Sequence, residues 1–375
     1  MIYLDNNATT KIAPEVLSSM QEVSEIYGNA SSVHSYGQHA RRLINEAREQ
    51  MAAAFKIPES TLYFSSGGTE SINSAILGAF LPLQEKSHLI VSKAEHASVL
   101  RSAEYLESLG VELSYIELDA EGRINLEALE AAIRPHTRMI AVMFANNEIG
   151  NIYPIKKIGE IARSRGVLYF CDAVQAVGRF DIDLSQLPID MLAGAAHKFH
   201  GPKGAAFMYV KKGLKLVPIL HGGRQERGIR PGTENVSAIV GMAKALDLAL
   251  KNQLSASRKI QRLRDKLESG LIEKIPGLIL HGDHEHRLDN TLNFRIKGVS
   301  GESLLINLDQ AGIAVSVGAA CDSGSLEPSH VLLAMGLSEQ EALGGLRFSL
   351  SRYNSDNEID EVLEKLPGLV EQVRS

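Results

Sequence analysis

Asp172 and Lys198 are the two side chains whose types and setting could do the most demanding chemistry in this sequence. Both lie in GVLYFCDAVQAVGRFDIDLSQLPIDMLAGAAHKFHGPKG, residues 166–204. Two apolar runs in it, VLYF and MLAGAA, have strand length, and each ends in a polar cluster. The first ends at Asp172, with Gln175 one turn further on. The second ends at His197 and Lys198, immediately before a Gly-Pro-Lys-Gly turn. In open α/β sheets ligands collect outside the carboxyl ends of the strands, so a carboxylate and an amine can meet there. Such a pair suits pyridoxal phosphate. The lysine condenses with the aldehyde, the carboxylate keeps the pyridine nitrogen protonated, and the ring draws electrons from a bound amino acid. The alternative is a strand-end Asp and a surface Lys that never meet, and this stretch alone does not separate the two.

Further candidates are spread along the chain. SSGGTES (65–71) stands between a strand-like and a helix-like segment. Gly67 and Gly68 let the backbone approach an anion, Thr69 can cap the helix and offer its hydroxyl, and the helix N-terminus adds partial positive charge. A plain turn with a cap is the alternative, since the stretch is neither G-x-G-x-x-G nor a Walker sequence. His96, after HLIVS, can stack on a flat ring or move protons near neutral pH; capping the next helix is its other role. Asn146, Asn147 and Glu148 in MFANNEIGNI stand at another strand end. An amide there can bond a cofactor oxygen or a substrate carboxylate, or simply make a turn. HGGRQERGIRPGTEN (221–235) is Gly-rich and basic and carries Thr233 before a helix. It reads as a loop able to meet a phosphate, or as a solvated surface loop.

Cys321 lies in SVGAACDSGSLEPS (316–329), nearly all small residues. That composition predicts a mobile loop with an exposed thiol able to act as a nucleophile. Cys171 closes an apolar run beside Asp172 and is expected only to pack. In LRFSLSRY (346–353), Arg347 follows an apolar residue in a strand-like run, which points it into a cleft as a fork for a carboxylate. Arg352 competes for that role from the surface. His281, His284 and His286 in HGDHEHR resemble a metal cluster, but neither Cys nor rigid helical spacing supports one, and no metal is expected.

These residues need a frame to position them. A chain of 375 residues suits a large domain plus a smaller one. Pro14 to Tyr27 and Gln38 to Phe55 carry helical periodicity. Strand-like TLYF (61–64), HLIV (88–91), VELSYI (111–116) and MIAVMF (139–144) then alternate with helix-like Thr69–Phe80, Ser98–Leu109, Leu126–Ile133 and Ile155–Arg165. This alternation predicts an α/β fold, a mainly parallel sheet covered by helices on both faces. Beyond Asn235 come helical stretches at Val240–Leu250 and Ser255–Lys274, and a break at Pro276-Gly277. Short strands (LILH, TLNFRI, LRFSL) mixed with helices follow, a small α+β domain. The expected division is an N-terminal arm over 1–13, able to pack with the small domain, a large domain over 14–255, and a small domain over 256–375 carrying the Cys321 loop.

The formal net charge of −6 and the absence of a basic stripe disfavour direct nucleic-acid binding. MIYLDNNATT lacks the basic start and apolar core of a signal peptide. No apolar run approaches the roughly 18 residues of a membrane span. Two cysteines make no disulfide scaffold, so a cytoplasmic location is expected.

Taken together the motifs resemble the NifS/IscS-type cysteine desulfurases, pyridoxal-phosphate enzymes of the class V aminotransferase family. The resemblance runs in order from YLDNNATT (3–10) through SGGTES, EHASV, NNEIG, CDAVQAVG, HKFHGPKG, HGGRQERGIRPGT and AACDSGSLEPS to RFSLSRY (347–353), nearly the whole chain. It implies fold type I, a homodimer, and release of sulfur from L-cysteine to leave L-alanine. By position it implies that Lys198 holds the cofactor, Asp172 the pyridine nitrogen and Gln175 the ring hydroxyl oxygen. His96 would stack on the ring and assist proton transfer. Gly68, Thr69 and His197 would bind the phosphate, with Thr233 contributed by the other subunit. Asn147 and Arg347 would hold the substrate carboxylate. Cys321 would attack the substrate sulfur, become a persulfide and pass it to an acceptor protein, an iron–sulfur scaffold or a transfer-RNA thiolation protein.

Two departures bear on these expectations. Relatives usually carry a Ser at the position of Ala195, and its hydroxyl binds the phosphate. The missing hydrogen bond to a charged group is worth about 1.5–3 kcal/mol. After the catalytic Cys, Ser or Thr is common, and here Asp322 stands; a neighbouring carboxylate disfavours a thiolate. The rival readings are a selenocysteine lyase or related beta-elimination enzyme, and a catalytically impaired dimer with a regulatory role.

Overall fold

The computed structural model describes residues 1–81, 86–317 and 327–374. After an arm strand at Ile2–Tyr3 (β1), the chain lays down Leu62–Ser65 (β2), His88–Ser92 (β3), Glu112–Ile116 (β4), Thr137–Ala141 (β5), Leu168–Asp172 (β6), Met191–Ala195 (β7) and Ala206–Val210 (β8). The last seven form one sheet in the order β2-β8-β7-β6-β5-β3-β4. Parallel pairing joins β4 to β3, β3 to β5, β5 to β6 and β6 to β7, while β8 runs antiparallel to both β7 and β2.

The apolar runs are continuous because both faces of the sheet are covered. Leu89, Val91, Met139, Ala141, Phe170, Met191 and Ala193 pack on one side with Ile72 and Ile76 of the helix Gly68–Phe80. Their alternates Ile90, Ile140, Tyr169, Cys171 and Leu192 pack on the other with Ile158 of the helix Ile155–Ser164 and Met242 of Val236–Lys251. Cys171 is fully buried there, as its apolar setting implied.

Toward the C-terminus, Leu278–His281 (β9), Thr291–Ile296 (β10), Ile313–Ala314 (β11), Ser316–Val317 (β12) and Leu346–Ser349 (β13) follow. A second sheet has the order β12-β13-β10-β9, and β1 of the arm pairs in parallel with β11. Its apolar cluster takes Leu263 and Leu267 from the helix Gln253–Lys274, Phe294 and Phe348 from the strands, and Leu4 from the arm. Among the described residues no helix is long and apolar enough to cross a membrane.

Two differences from the sequence reading have physical causes. AFMYV, absent from the strands expected above, follows the Gly-Pro-Lys-Gly turn; in the fold that turn reverses the chain, and β8 returns antiparallel beside β7. The run 139–144 leaves the sheet after Ala141, yet Val142 and Phe144 still donate to Phe170 and Asp172 carbonyls (3.2 and 2.8 Å). One-sided bonding of this kind steers the chain out over the ends of the neighbouring strands.

Edge strand β2 shows how a loop is fixed beside those ends. Its outward backbone groups are satisfied by side chains in place of another strand. Phe64 N–H donates to Glu226 Oε2 (2.9 Å), Arg48 Nη1 donates to the Leu62 carbonyl (2.8 Å), and Arg227 donates to the same carbonyl. Arg48 and Glu226 form a two-pronged buried ion pair at 2.8 and 2.5 Å. It pins a turn in which Glu226, Arg227 and Gly228 all have positive φ, at 46, 56 and 83°, a conformation the first two adopt only at some strain. Replacing Glu226 by Ala strands the Arg48 charge in the interior. We expect urea denaturation to report a loss of about 3–5 kcal/mol, and an Arg48→Met/Glu226→Met double variant to recover much of it. A loss under about 1 kcal/mol would put the pair in the class of surface ion pairs.

Candidate active site

Outside the carboxyl ends of β6 and β7 lies a cleft of about 490 Å³, and both Asp172 and Lys198 line it. The two therefore meet, and the reading in which they do not is excluded. Asp172 is the last residue of β6, and Val174 N–H donates to its Oδ1 at 2.9 Å. Burial pushes its carboxyl up from the usual range, against the pull of His96 and Lys198. Lys198 ends the short turn Ala196–Lys198 that follows β7. Its Nζ donates to the backbone carbonyls of Asn7 (2.5 Å) and Ala8 (2.8 Å). Burial, helped by the Arg347 charge, lowers the amine to about 8. Each group is thus pressed toward its neutral form by desolvation.

One wall can hold an anion. The helix Gly68–Phe80 starts from Gly67 with no side-chain cap, so its first N–H groups face the cleft at Gly68 and Thr69. A Cβ at Gly68 would come within 3.2 Å of Val174 Cγ2, a tight contact that glycine avoids. His197 joins them in the lining. Burial first, then the charges of Lys198 and Lys203, lower its imidazole to about 4, and Nδ1 lies 3.2 Å from Thr9 Oγ1. Ala195 also lines this wall and offers no hydroxyl.

His96 caps a helix and also reaches the cleft. Its Nδ1 accepts from Ser98 N–H (3.1 Å) and caps the helix Ala97–Ser108, while the ring lines the cleft. Burial lowers its pKa, so the ring is held neutral. Gln175 donates through Nε2 to the Asn7 carbonyl (3.0 Å), and its Oε1 is buried without a partner. An unmet acceptor in a cleft wall is a site for a ligand hydroxyl.

At the other end, Arg347 in β13 donates to the Asn147 carbonyl (3.0 Å) and to Asp5 Oδ1 (2.6 Å), leaving its buried Nε without a partner. Asn147 lines the cleft beside it; Asn146 does not, and spends its side chain on Glu148 N–H, Ile149 N–H and the Ala94 carbonyl. Arg352 lies over the Tyr353 ring, away from the cleft lining. Thr233 is exposed and outside this chain's own cleft. Cys321 and Asp322 lie outside the described residues, although Ser316 and His330 on either side of that segment both line the cleft. His281 bonds Asn293 (2.8 Å), and among the described residues no group of three or more His, Cys, Asp or Glu could hold a metal ion.

Sequence reasoning missed Asn7, Asp5 and His330. Asn7 is a hub: its carbonyl takes the Lys198 and Gln175 donors, its Nδ2 donates to Thr291 Oγ1 (2.8 Å) and the Asn147 carbonyl (3.1 Å), and its Oδ1 accepts from Asn290 (2.9 Å). A polar DNNATT run in an otherwise extended arm was the available signal. For His330, the signal was a titratable residue at the start of an apolar helix, in SLEPSH.

The sequence profile of the aminotransferase class-V family matches residues 2–362 of the chain. A cysteine desulfurase from Trichormus azollae is 45% identical over 376 residues, covering 100% of this chain and 94% of its own. Among solved structures, a NifS-like protein superposes with a TM-score of 0.93 at 36% identity, covering 99% of both chains. SspA in complex with cysteine superposes with a TM-score of 0.83 at 35% identity, covering 95% of this chain and 100% of that one.

The setting of Lys198 fixes a measurable pH dependence. Only the neutral amine is nucleophilic, so in cofactor-free protein its acylation, mapped by mass spectrometry, should rise as pH climbs through about 8 instead of the ordinary 10.5. Arg347→Met removes a charge that lowers it and should move the midpoint upward. A wild-type midpoint near that of the surface lysines would contradict the desolvated setting.

Proposed function

This chain belongs to the aminotransferase class-V family, and on that premise we propose that it is a pyridoxal 5′-phosphate-dependent cysteine desulfurase, converting L-cysteine to L-alanine and a protein persulfide. The observation that carries this reading is the meeting of Asp172 and Lys198 in one desolvated cleft, in a chain 45% identical along its whole length to a protein named cysteine desulfurase. The cysteine complex of a structural neighbour supports the choice of substrate.

The donor set fits the cofactor. Lys198 would hold its aldehyde carbon, Asp172 its pyridine nitrogen, Gln175 its ring hydroxyl oxygen and His96 its ring face. Its phosphate would lie at Gly68, Thr69 and His197, completed by Thr233 of the partner subunit. The uncapped N–H groups at Gly68 and Thr69 would remain as phosphate donors where Ala195 offers no hydroxyl. When bound, the cofactor supplies an electron sink for the pair left on a substrate carbon.

The chain's own residues do the rest. Arg347 and Asn147 bind and orient the substrate carboxylate. The Lys198 amine, lowered to about 8, can take and return a proton at the alpha carbon near neutral pH. His96, its pKa lowered by burial, would lie against the ring face and could assist that transfer. Cys321 attacks the substrate sulfur as a thiolate. The new S–S bond takes the thiolate pair, the pair of the broken C–S bond stays with carbon, and a proton completes alanine.

The same reading includes a homodimer, for which the exposure of Thr233 outside its own cleft is the support. It also includes delivery of the persulfide to an acceptor protein in the cytoplasm, and a division into arm, large domain and small domain near residue 255. The separate apolar cluster shared by the C-terminal helices, β10, β13 and Leu4 supports that division.

Purified protein given L-cysteine should form alanine in step with a persulfide that mass spectrometry maps to Cys321. Cys321→Ala should retain the cofactor's absorbance while alanine formation falls by at least 10²-fold, the scale on which a lost catalytic group acts. Persistent sulfur release in Cys321→Ala would remove that residue's role. Faster turnover of selenocysteine with no persulfide on the protein would favour the lyase.

A further inference from the structure

Once the cofactor and the substrate carboxylate have their contacts, two titratable side chains on the cleft wall remain without a role, Glu148 and His330. Glu148 is 7% exposed. Its Oε2 accepts from the Ser329 hydroxyl, and its Oε1 lies 4.0 Å from His330 Nδ1. Among the described residues no Lys or Arg pairs with it, which is unusual for a carboxylate so withdrawn from water. His330 opens a short helix capped by that same Ser329. Its Nε2 lies 2.9 Å from the Glu95 carbonyl. A carbonyl can only accept, so Nε2 carries the hydrogen and Nδ1 of the neutral ring carries a lone pair, facing the Glu148 carboxylate. A proton delivered to that nitrogen would turn the lone pair into an N–H facing the buried carboxylate. The ring is about a third exposed to the cleft, and its charge is felt at His96, together with those of Asp172, Lys198 and Glu148.

We propose that His330, held and charge-balanced by Glu148, is a catalytic residue that carries the substrate's thiol proton during sulfur removal. The inference rests on the desulfurase reading. An amino acid held by its amine at Lys198 and its carboxylate at Arg347 would lie in the cleft that this pair also lines. As the attacking thiolate forms the S–S bond, the substrate sulfur gives its proton to His330 Nδ1. The pair of the breaking C–S bond stays on carbon, and that carbon needs one proton to become the methyl group of alanine. Net, one S–H is exchanged for one C–H with no oxidant or reductant, and imidazolium beside Glu148 is the carrier between them.

The test compares two substrates on holoenzyme. L-Cysteine must lose a sulfur-bound proton, whereas β-chloro-L-alanine expels chloride and has none to lose. In His330→Gln, alanine formation from cysteine should fall by about 10²-fold or more. Elimination from β-chloroalanine and the cofactor content should stay within about twofold of the parent protein. Glu148→Gln should give a smaller loss confined to cysteine. Equal losses on both substrates would assign His330 a merely structural part and overturn the proposal, as would unchanged cysteine turnover in His330→Gln. If the parent protein itself made no alanine from cysteine while still eliminating chloride, the desulfurase reading would fall and this inference with it.

Discussion

Desolvation of an acid and an amine in the same cleft is the constraint on which the site depends. Asp172 ends a strand whose other side chains are buried on both faces, and burial disfavours its charge. Lys198 suffers the same penalty. Left alone the two would drift toward neutrality, a weak acid facing a weak base. The proposed cofactor, a cationic aromatic ring bearing an aldehyde, would give each a partner, the carboxylate a charge to balance and the amine an electrophile to join. The same cleft carries histidines lowered in pKa at 96 and 197, an uncapped helix start and an unmet amide oxygen on Gln175.

The N-terminal arm holds this arrangement together. β1 belongs to the C-terminal part through its pairing with β11, and Leu4 is buried in that part's core. A few residues later, the Asn7 and Ala8 carbonyls hold the Lys198 amine, and the Thr10 hydroxyl donates to the His197 carbonyl (2.8 Å). Asp5 and Asn7 also reach Arg347 and Asn147. One extended segment therefore sets the distance between the Lys198 amine and the Arg347 guanidinium. Any movement of the C-terminal sheet against the large sheet passes through these bonds.

Much of this was legible in the residues. The alternation of apolar runs and helical repeats gave the mainly parallel sheet, and the polar clusters ending VLYF and MLAGAA marked the cleft. Motifs in order along the chain gave the family, because side chains that must converge on one cofactor are repeated in type and sequence position. What escaped had weak local signals. β8 follows a turn that reads as a stop, and Asn7 sits in an arm with neither period. His330 is one polar residue before a run of leucines, indistinguishable in sequence from a helix start.

The sequence by itself determined the elements and the chemistry available to them, because periodicity and side-chain type are local properties. Whether Asp172 and Lys198 share one cleft, whether Glu148 is buried beside an imidazole, and whether Thr233 lies outside its own cleft were decided by tertiary structure alone. Burial and distance are properties of the whole packed chain: pKa shifts, unmet hydrogen bonds and the pairing of Arg48 with Glu226 arise only when residues far apart in sequence exclude water from one another.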